Sequence, residues 1–218
     1  MSSKDIINKT MAFVKETLKN AEGGHDWFHI QRVYKNSLLI AKTESVDLFI
    51  VSLGALLHDI ADSKFHNGDE TVGPKIARDF LFKMNVDSTV IEHVIAIIEN
   101  ISFKSSLGGE KKFSSKELDV VQDADRLDAI GAIGIARTFN YGGFKNRAIY
   151  DPEIKPNLNM TKEAYKSSTA PTINHFYEKL LLLKDKMNTE TGKALAKQRH
   201  QFMELYLKQF YSEWEGKV

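Results

Sequence analysis

The chain has 218 residues, 42% of them hydrophobic and 27% charged, with a formal net charge of +1. That hydrophobic share can fill a sizeable core and argues against disorder, while the balanced charge lacks the basic excess of a general nucleic-acid or membrane-surface binder. Cysteine is absent, which excludes disulfides and thiolate metal sites and is compatible with a reducing compartment.

No apolar run is long enough to span a bilayer. The opening segment, MSSKDIINKTMAFVKETLKN, reads as an amphipathic helix rather than a signal peptide. A soluble cytoplasmic protein is expected, with no membrane partner and no stable nucleic-acid binding. Only four prolines occur, and apolar residues recur at three- and four-residue spacing, so the predicted fold is all-α. The first helix covers about Lys4 to Asn20 and stops at Gly23-Gly24. The second starts near Asp26 and runs to about Lys42, with Ile30, Val33, Leu38 and Ala41 on its apolar positions. Asp47 is a plausible N-cap of the third, apolar from Phe49 to Leu57. After a polar loop, Ser63 to Thr71, Pro74 sits in the first turn of a fourth helix ending near Met84-Asn85. Ser88 or Asp87 caps a fifth, Val90 to Ile101.

Ser102 to Lys112 reads as a flexible loop. Ser114 with Glu117 resembles a capping box, opening a long helix through Phe139. An irregular stretch follows, Asn140 to Met160, and a loop of that length is usually functional. Pro171 opens a further helix through Lys186, and Thr189 or Thr191 caps the last, which ends near Trp214. No repeat or linker marks a second domain, so residues 1–218 are expected to form one.

The most demanding stretch is LGALLHDIAD, Leu53 to Asp62. An imidazole followed at once by a carboxylate, His58-Asp59, ends an apolar helix, and each group would cost several kcal/mol to bury unpaired. A metal ion is one natural compensation. His29 on the second helix and Asp125 in DADRL could converge on the same point. Two imidazoles and two carboxylates suit Mn, Fe, Co, Ni, Zn or Mg, and an octahedral ion would keep two positions for water or a phosphate oxygen. Separations of tens of residues impose no geometry by themselves.

His, then His-Asp, then Asp on successive helices resembles the HD superfamily of metal-dependent phosphohydrolases. HIQRV matches its first motif, LLHDIAD the second and ADRLDAI the last, over roughly the first 140 residues. The resemblance implies an HD-domain helical bundle, with a core at about 20–140 and a C-terminal helical extension at about 160–216. It selects His29 over His25, because His29 stands four residues before Val33, and Asp125 over Asp123, because Asp125 precedes Arg126-Leu127. The tail from HFYEKLLLLKDKM onward resembles a bacterial branch of small stand-alone members. That branch implies hydrolysis of nucleoside triphosphates to monophosphate and pyrophosphate with one divalent ion per chain, manganese by preference and Mg, Ni, Co, Fe or Zn as alternatives.

Several residues could serve this chemistry. Asp62, three after Asp59, could act as general base or hold the attacking water; an exposed loop carboxylate is an equal alternative. Lys64 could face non-bridging phosphate oxygens, and Lys104 less so, whereas most lysines simply face solvent. His93 could donate to a phosphate, bind a second metal or be a satisfied, partly buried histidine. Asp128, one turn beyond Asp125, could orient a water or bind a substrate hydroxyl. His175 and Lys179 share a helical face and could reach outer phosphates, or simply form an exposed face while Phe176 and Leu180 face the core. Arg147, in the stretch YGGFKNRAIYDPEIKP, could clasp a phosphate within a lid; a packing or dimer-contact loop is at least as good a reading.

Three readings follow. The first is nucleotide pyrophosphohydrolysis. The second keeps the fold and changes the reaction, to a nucleotide monophosphatase, a cyclic-nucleotide phosphodiesterase or a di-iron oxygenase. The third is a nucleotide-binding module without catalysis. The amphipathic first and last helices could also pair subunits as a homodimer.

Overall fold

Short polar side chains set most helix starts. The computed structural model describes residues 1–19, 21, 24, 26–61, 69–101, 113–159, 161 and 168–218. Ser2 caps α1 (Ser3–Thr17), Asp26 caps α2 (Trp27–Ala41), and Asp47 caps α3 (Leu48–Leu57) by accepting the N–H groups of Phe49 and Ile50. α4 (Val72–Lys83) carries Pro74 in its first turn, where the missing N–H costs nothing. Asp87 caps α5 (Ser88–Asn100), and α6 spans Lys116–Asp128. The first helix ends at Thr17 with Leu18 as its C-cap, ahead of the expected glycine stop; Gly23 lies outside the described residues.

The chain divides into two compact units, Met1–Asp125 and Arg126–Val218, the boundary falling within α6. In the first unit α3 contacts α1, α2 and α5, and α5 contacts α4. Every residue of α3 from Ile50 to Leu57 is buried, as expected of a helix that is apolar all round. Leu53, Leu56 and Leu57 are fully buried, each contributing about 1.5–3 kcal/mol by leaving water. Gly54 allows the closest approach: a Cβ there would lie 3.2 Å from Ile97 Cδ1 on α5 and 3.6 Å from Val121 Cγ2 on α6.

Two sequence expectations need correction here. Ser115, and not Ser114, caps α6, its hydroxyl accepting the Leu118 N–H at 3.0 Å. Glu117 closes no capping box, because its carboxylate accepts the N–H of Asp47, 70 residues away, at 3.0 Å. The long helix through Phe139 is in fact two. α6 ends at Asp128, and α7 (Gly131–Phe144) begins after Ile130 turns extended. Gly131 has φ +73°, a left-handed conformation that ends a helix and favours glycine.

In the second unit a short helix, α8 (Asn174–Glu178), leads into a 3-10 segment, Leu180–Lys186, in place of the single helix expected from Pro171. Thr189 caps α9 (Glu190–Trp214), which packs on α7 and on the 3-10 segment. An aromatic cluster lines this packing: Phe176 stacks on Tyr206 at 5.9 Å, and Tyr150 meets Trp214 edge-on at 5.0 Å. Such pairs contribute about 0.5–1.5 kcal/mol each beyond burial. Burial and a hydrogen bond with Tyr177 push the Tyr211 phenol well above its usual range. Among the described residues, no strand forms and no helix is long and apolar enough to cross a membrane.

Candidate metal centre

His29 enters the first unit's interior because of where α2 starts. Asp26 accepts the His29 N–H at 2.9 Å, which fixes the first turn and sets the imidazole on the same face as buried Ile30 and Val33. His58 is the C-cap of α3, still in helical conformation. Its Nδ1–H donates to the Ala55 carbonyl at 2.9 Å, satisfying a carbonyl that the helix end would otherwise orphan. The same bond fixes the tautomer and turns the Nε2 lone pair inward. Asp125 comes from the last turn of α6.

The three side chains converge. His58 Nε2 lies 3.3 Å from His29 Nε2, and Asp125 Oδ1 lies 3.5 Å from His29 Nε2 and 3.8 Å from His58 Nε2. The imidazole side chains are 2% and 4% exposed against 37% for the carboxylate, so the group has a buried side and an open one. Metal–ligand bonds of about 2.0–2.2 Å place neighbouring donors roughly 3.0–3.6 Å apart, close to the separations seen here. With His58 Nδ1 committed to Ala55, two imidazole Nε2 atoms face each other beside a carboxylate oxygen. That donor set calls for a proton or a cation between them, and two nitrogens with one oxygen suit a borderline divalent ion.

Asp59 is the fourth expected ligand. It is half-buried in the turn leaving α3, and its carboxylate is not among the donors that lie within 4.8 Å of one another. Asp62, Lys64 and Lys104 lie outside the described residues, as do His25 and His66.

The remaining expected site residues have identified surroundings. His93 Nε2 bonds the Ser115 hydroxyl at 2.9 Å and faces Glu117 at 3.5 Å. In the second unit, Asp128 is buried against Arg137, whose Nη1 donates to the carboxylate at 2.9 Å and to the Asp128 carbonyl at 3.2 Å. Arg147 donates from Nη2 to the Ser168 carbonyl at 2.5 Å and lies over the Tyr141 ring. His175, on α8, is held neutral: burial, then the charges of Lys179 and Arg147, push its pKa down to about 3. Lys179, which ends α8, thus stands close enough to His175 to act on its charge. The role of Ala55 had no sequence signal, because a backbone carbonyl has no identity in the sequence. The Glu117–Asp47 bond was equally hidden by its span in the chain.

Comparison with known proteins places this geometry in a family. Residues 27–130, which hold all three converging side chains, match the HD domain. YpgQ of Bacillus subtilis is 38% identical over 206 residues, 94% of this chain and 91% of that protein. A crystal structure from Lactobacillus plantarum superposes with a TM-score of 0.86 at 38% identity, covering 99% of this chain and 100% of the other. An HD-superfamily hydrolase from Bacillus thuringiensis gives 0.77 at 43% identity, over 98% and 99% of the two chains. YpgQ has been crystallised in complex with ADP; that structure gives 0.76 at 34% identity, over 98% and 97%. With YpgQ and the solved structures matching nearly the whole chain, the protein belongs to the HD domain family.

Proposed function

We propose that the protein is a metal-dependent phosphohydrolase that cleaves (deoxy)nucleoside triphosphates to the monophosphate and pyrophosphate. The observation that carries the metal chemistry is the convergence of His29, His58 and Asp125 within 3.3–3.8 Å. Nucleotide as the substrate class is supported by the ADP bound to YpgQ, 38% identical over nearly the whole chain. When bound, the ion supplies Lewis acidity at a phosphate oxygen and a water of lowered pKa.

The chain's own residues divide the remaining work. His29 and His58 offer Nε2 and Asp125 offers Oδ1, with Asp59 as the fourth ligand. Asp62 takes the proton of the attacking water as its oxygen bonds to the α-phosphorus. The bond from that phosphorus to the β-bridging oxygen breaks, and pyrophosphate leaves. Lys64 and Lys104 face the charge that builds on the non-bridging oxygens. His175, Lys179 and Arg147 are the further groups proposed for substrate; Asp128, buried against Arg137, and His93, bonded to Ser115, are not. Manganese is the preferred ion, at one per chain.

The test is product analysis on a panel of ribo- and deoxyribonucleoside triphosphates with Mn²⁺. Monophosphate and pyrophosphate in equal amounts, lost in Asp125→Ala, are the expected result. Orthophosphate as sole product would move the reaction to another phosphate bond. A rise in melting temperature with nucleotide and no turnover would leave a binding module.

A further inference from the structure

We propose that Glu117 is a positioning residue for the metal centre, setting the axial register of the two helices that carry His58 and Asp125. The proposal rests on the metal-binding reading above. α3 and α6 touch at three levels. At their N-termini, Glu117 Oε1 accepts the N–H of Asp47 at 3.0 Å. Midway, Gly54 faces Val121. At their C-terminal ends, His58 Nε2 and Asp125 Oδ1 are 3.8 Å apart. The helices therefore run parallel, with the Glu117 contact at one end and the ligands at the other. At about 1.5 Å per residue, Asp47 and His58 are separated by roughly 16 Å along α3, and Glu117 and Asp125 by roughly 12 Å along α6.

Apolar contacts between two helices are non-directional and fix their axial register only through the fit of side chains such as Val121 at Gly54. A hydrogen bond between one helix and the cap of the other resists sliding. The second oxygen of Glu117, Oε2, faces His93 Nε2 on α5 at 3.5 Å, and that nitrogen bonds Ser115, the cap of α6, at 2.9 Å. Phe113 packs edge-on against the His93 ring at 5.4 Å. The side chain of Glu117 is only 14% exposed, so solvent competes weakly for the bond to Asp47. Its carboxylate lies at the N-terminal ends of both α3 and α6, where the helix dipoles favour negative charge. One side chain on α6 is thus bonded to the cap of α3 and faces α5.

Titration of the full chain with Mn²⁺ tests this, by electron paramagnetic resonance and with far-ultraviolet circular dichroism of each variant. Glu117→Ala should weaken Mn²⁺ binding by more than about threefold, beyond what Glu117→Gln loses. Glu117→Gln, whose amide oxygen can still accept the Asp47 N–H, should bind within about threefold of the unmodified chain by keeping that bond. Glu117→Asp, one methylene shorter, should bind more weakly than Glu117→Gln. Unchanged affinity in Glu117→Ala, or equal affinities in Glu117→Gln and Glu117→Asp, overturns the proposal. Should Glu117→Ala fail to fold, the comparison of the Gln and Asp variants decides alone. The unmodified chain and His58→Ala separate the two readings: no binding by the unmodified chain overturns the metal centre itself, whereas normal binding there with no effect at position 117 overturns only the role of Glu117.

Discussion

The Nδ1–H of His58 donates to the carbonyl of Ala55, three residues back in α3, at 2.9 Å. One backbone bond thereby decides which ring nitrogen can face His29 and Asp125. The imidazole is held by the helix it terminates, so its position follows from the burial of α3. A ligand fixed this way loses little entropy on binding an ion.

Removing that imidazole should uncouple metal from stability. A ligand at 100 times its dissociation constant stabilises the native state by about 2.7 kcal/mol. Saturating Mn²⁺ should raise the melting temperature of the unmodified chain by several degrees. His58→Ala should show no such rise while keeping its helical circular dichroism. A differential scanning fluorimetry series with and without Mn²⁺ checks this, and an equal rise in the variant would sink the assignment.

Gly54 should tolerate no branched side chain. A Cβ at this position already lies 3.2 Å from Ile97 Cδ1, and the γ-methyls of valine would meet α5 and α6. Overpacking of this kind costs about 1–3 kcal/mol. Urea denaturation of Gly54→Val should show a loss in that range. Stability equal to the parent would mean that the helices are packed less closely than described.

Gly131→Ala tests the break between α6 and α7. A Cβ would sit 3.0 Å from Arg199 Cβ and Cγ, on a backbone with φ +73°. The left-handed conformation alone costs a non-glycine residue about 1–2 kcal/mol. Chemical denaturation should show at least that loss. No loss would indicate that α6 and α7 can join into one continuous helix.

That break shows where sequence reading stops. QDADRLDAIGAIGIAR keeps its apolar spacing straight through Gly131, so periodicity predicts one helix. What ends α6 is three-dimensional: Arg199, 72 residues away, donates to the Leu127 carbonyl at 2.5 Å, and Arg137 donates to that of Asp128. The helix start at Asp26 and the cap at Asp47 were legible, and the last cap was narrowed to Thr189 or Thr191, because a cap acts within three residues of itself. The converging side chains of His29, His58 and Asp125 were legible from their motifs. The Glu117–Asp47 bond was not, since the sequence offers Glu117 a nearer partner in Ser114, and only the packing of α6 beside α3 makes Asp47 the better one.

His175 gives the fold an acid limb. Its pKa falls from the ordinary value of 6.5 to about 3 in the folded chain, so the unfolded chain binds the proton more readily. The stabilising effect is complete above about pH 6.5 and is lost as pH falls toward 3. Within that window one proton contributes a slope of up to about 1.4 kcal/mol per pH unit. Unfolding free energies measured from pH 7 to pH 4 should decline for the parent and decline less steeply for His175→Gln. Parallel curves would show that the folded chain takes up this proton as readily as the unfolded one.

The most direct test of the central claim, that His29, His58 and Asp125 hold one catalytic ion, is the stoichiometry of Mn²⁺ binding to the full chain and to Asp125→Ala, read by electron paramagnetic resonance. One ion per chain in the former and none at the same free concentration in the latter is the predicted result. Equal binding by both proteins would contradict it.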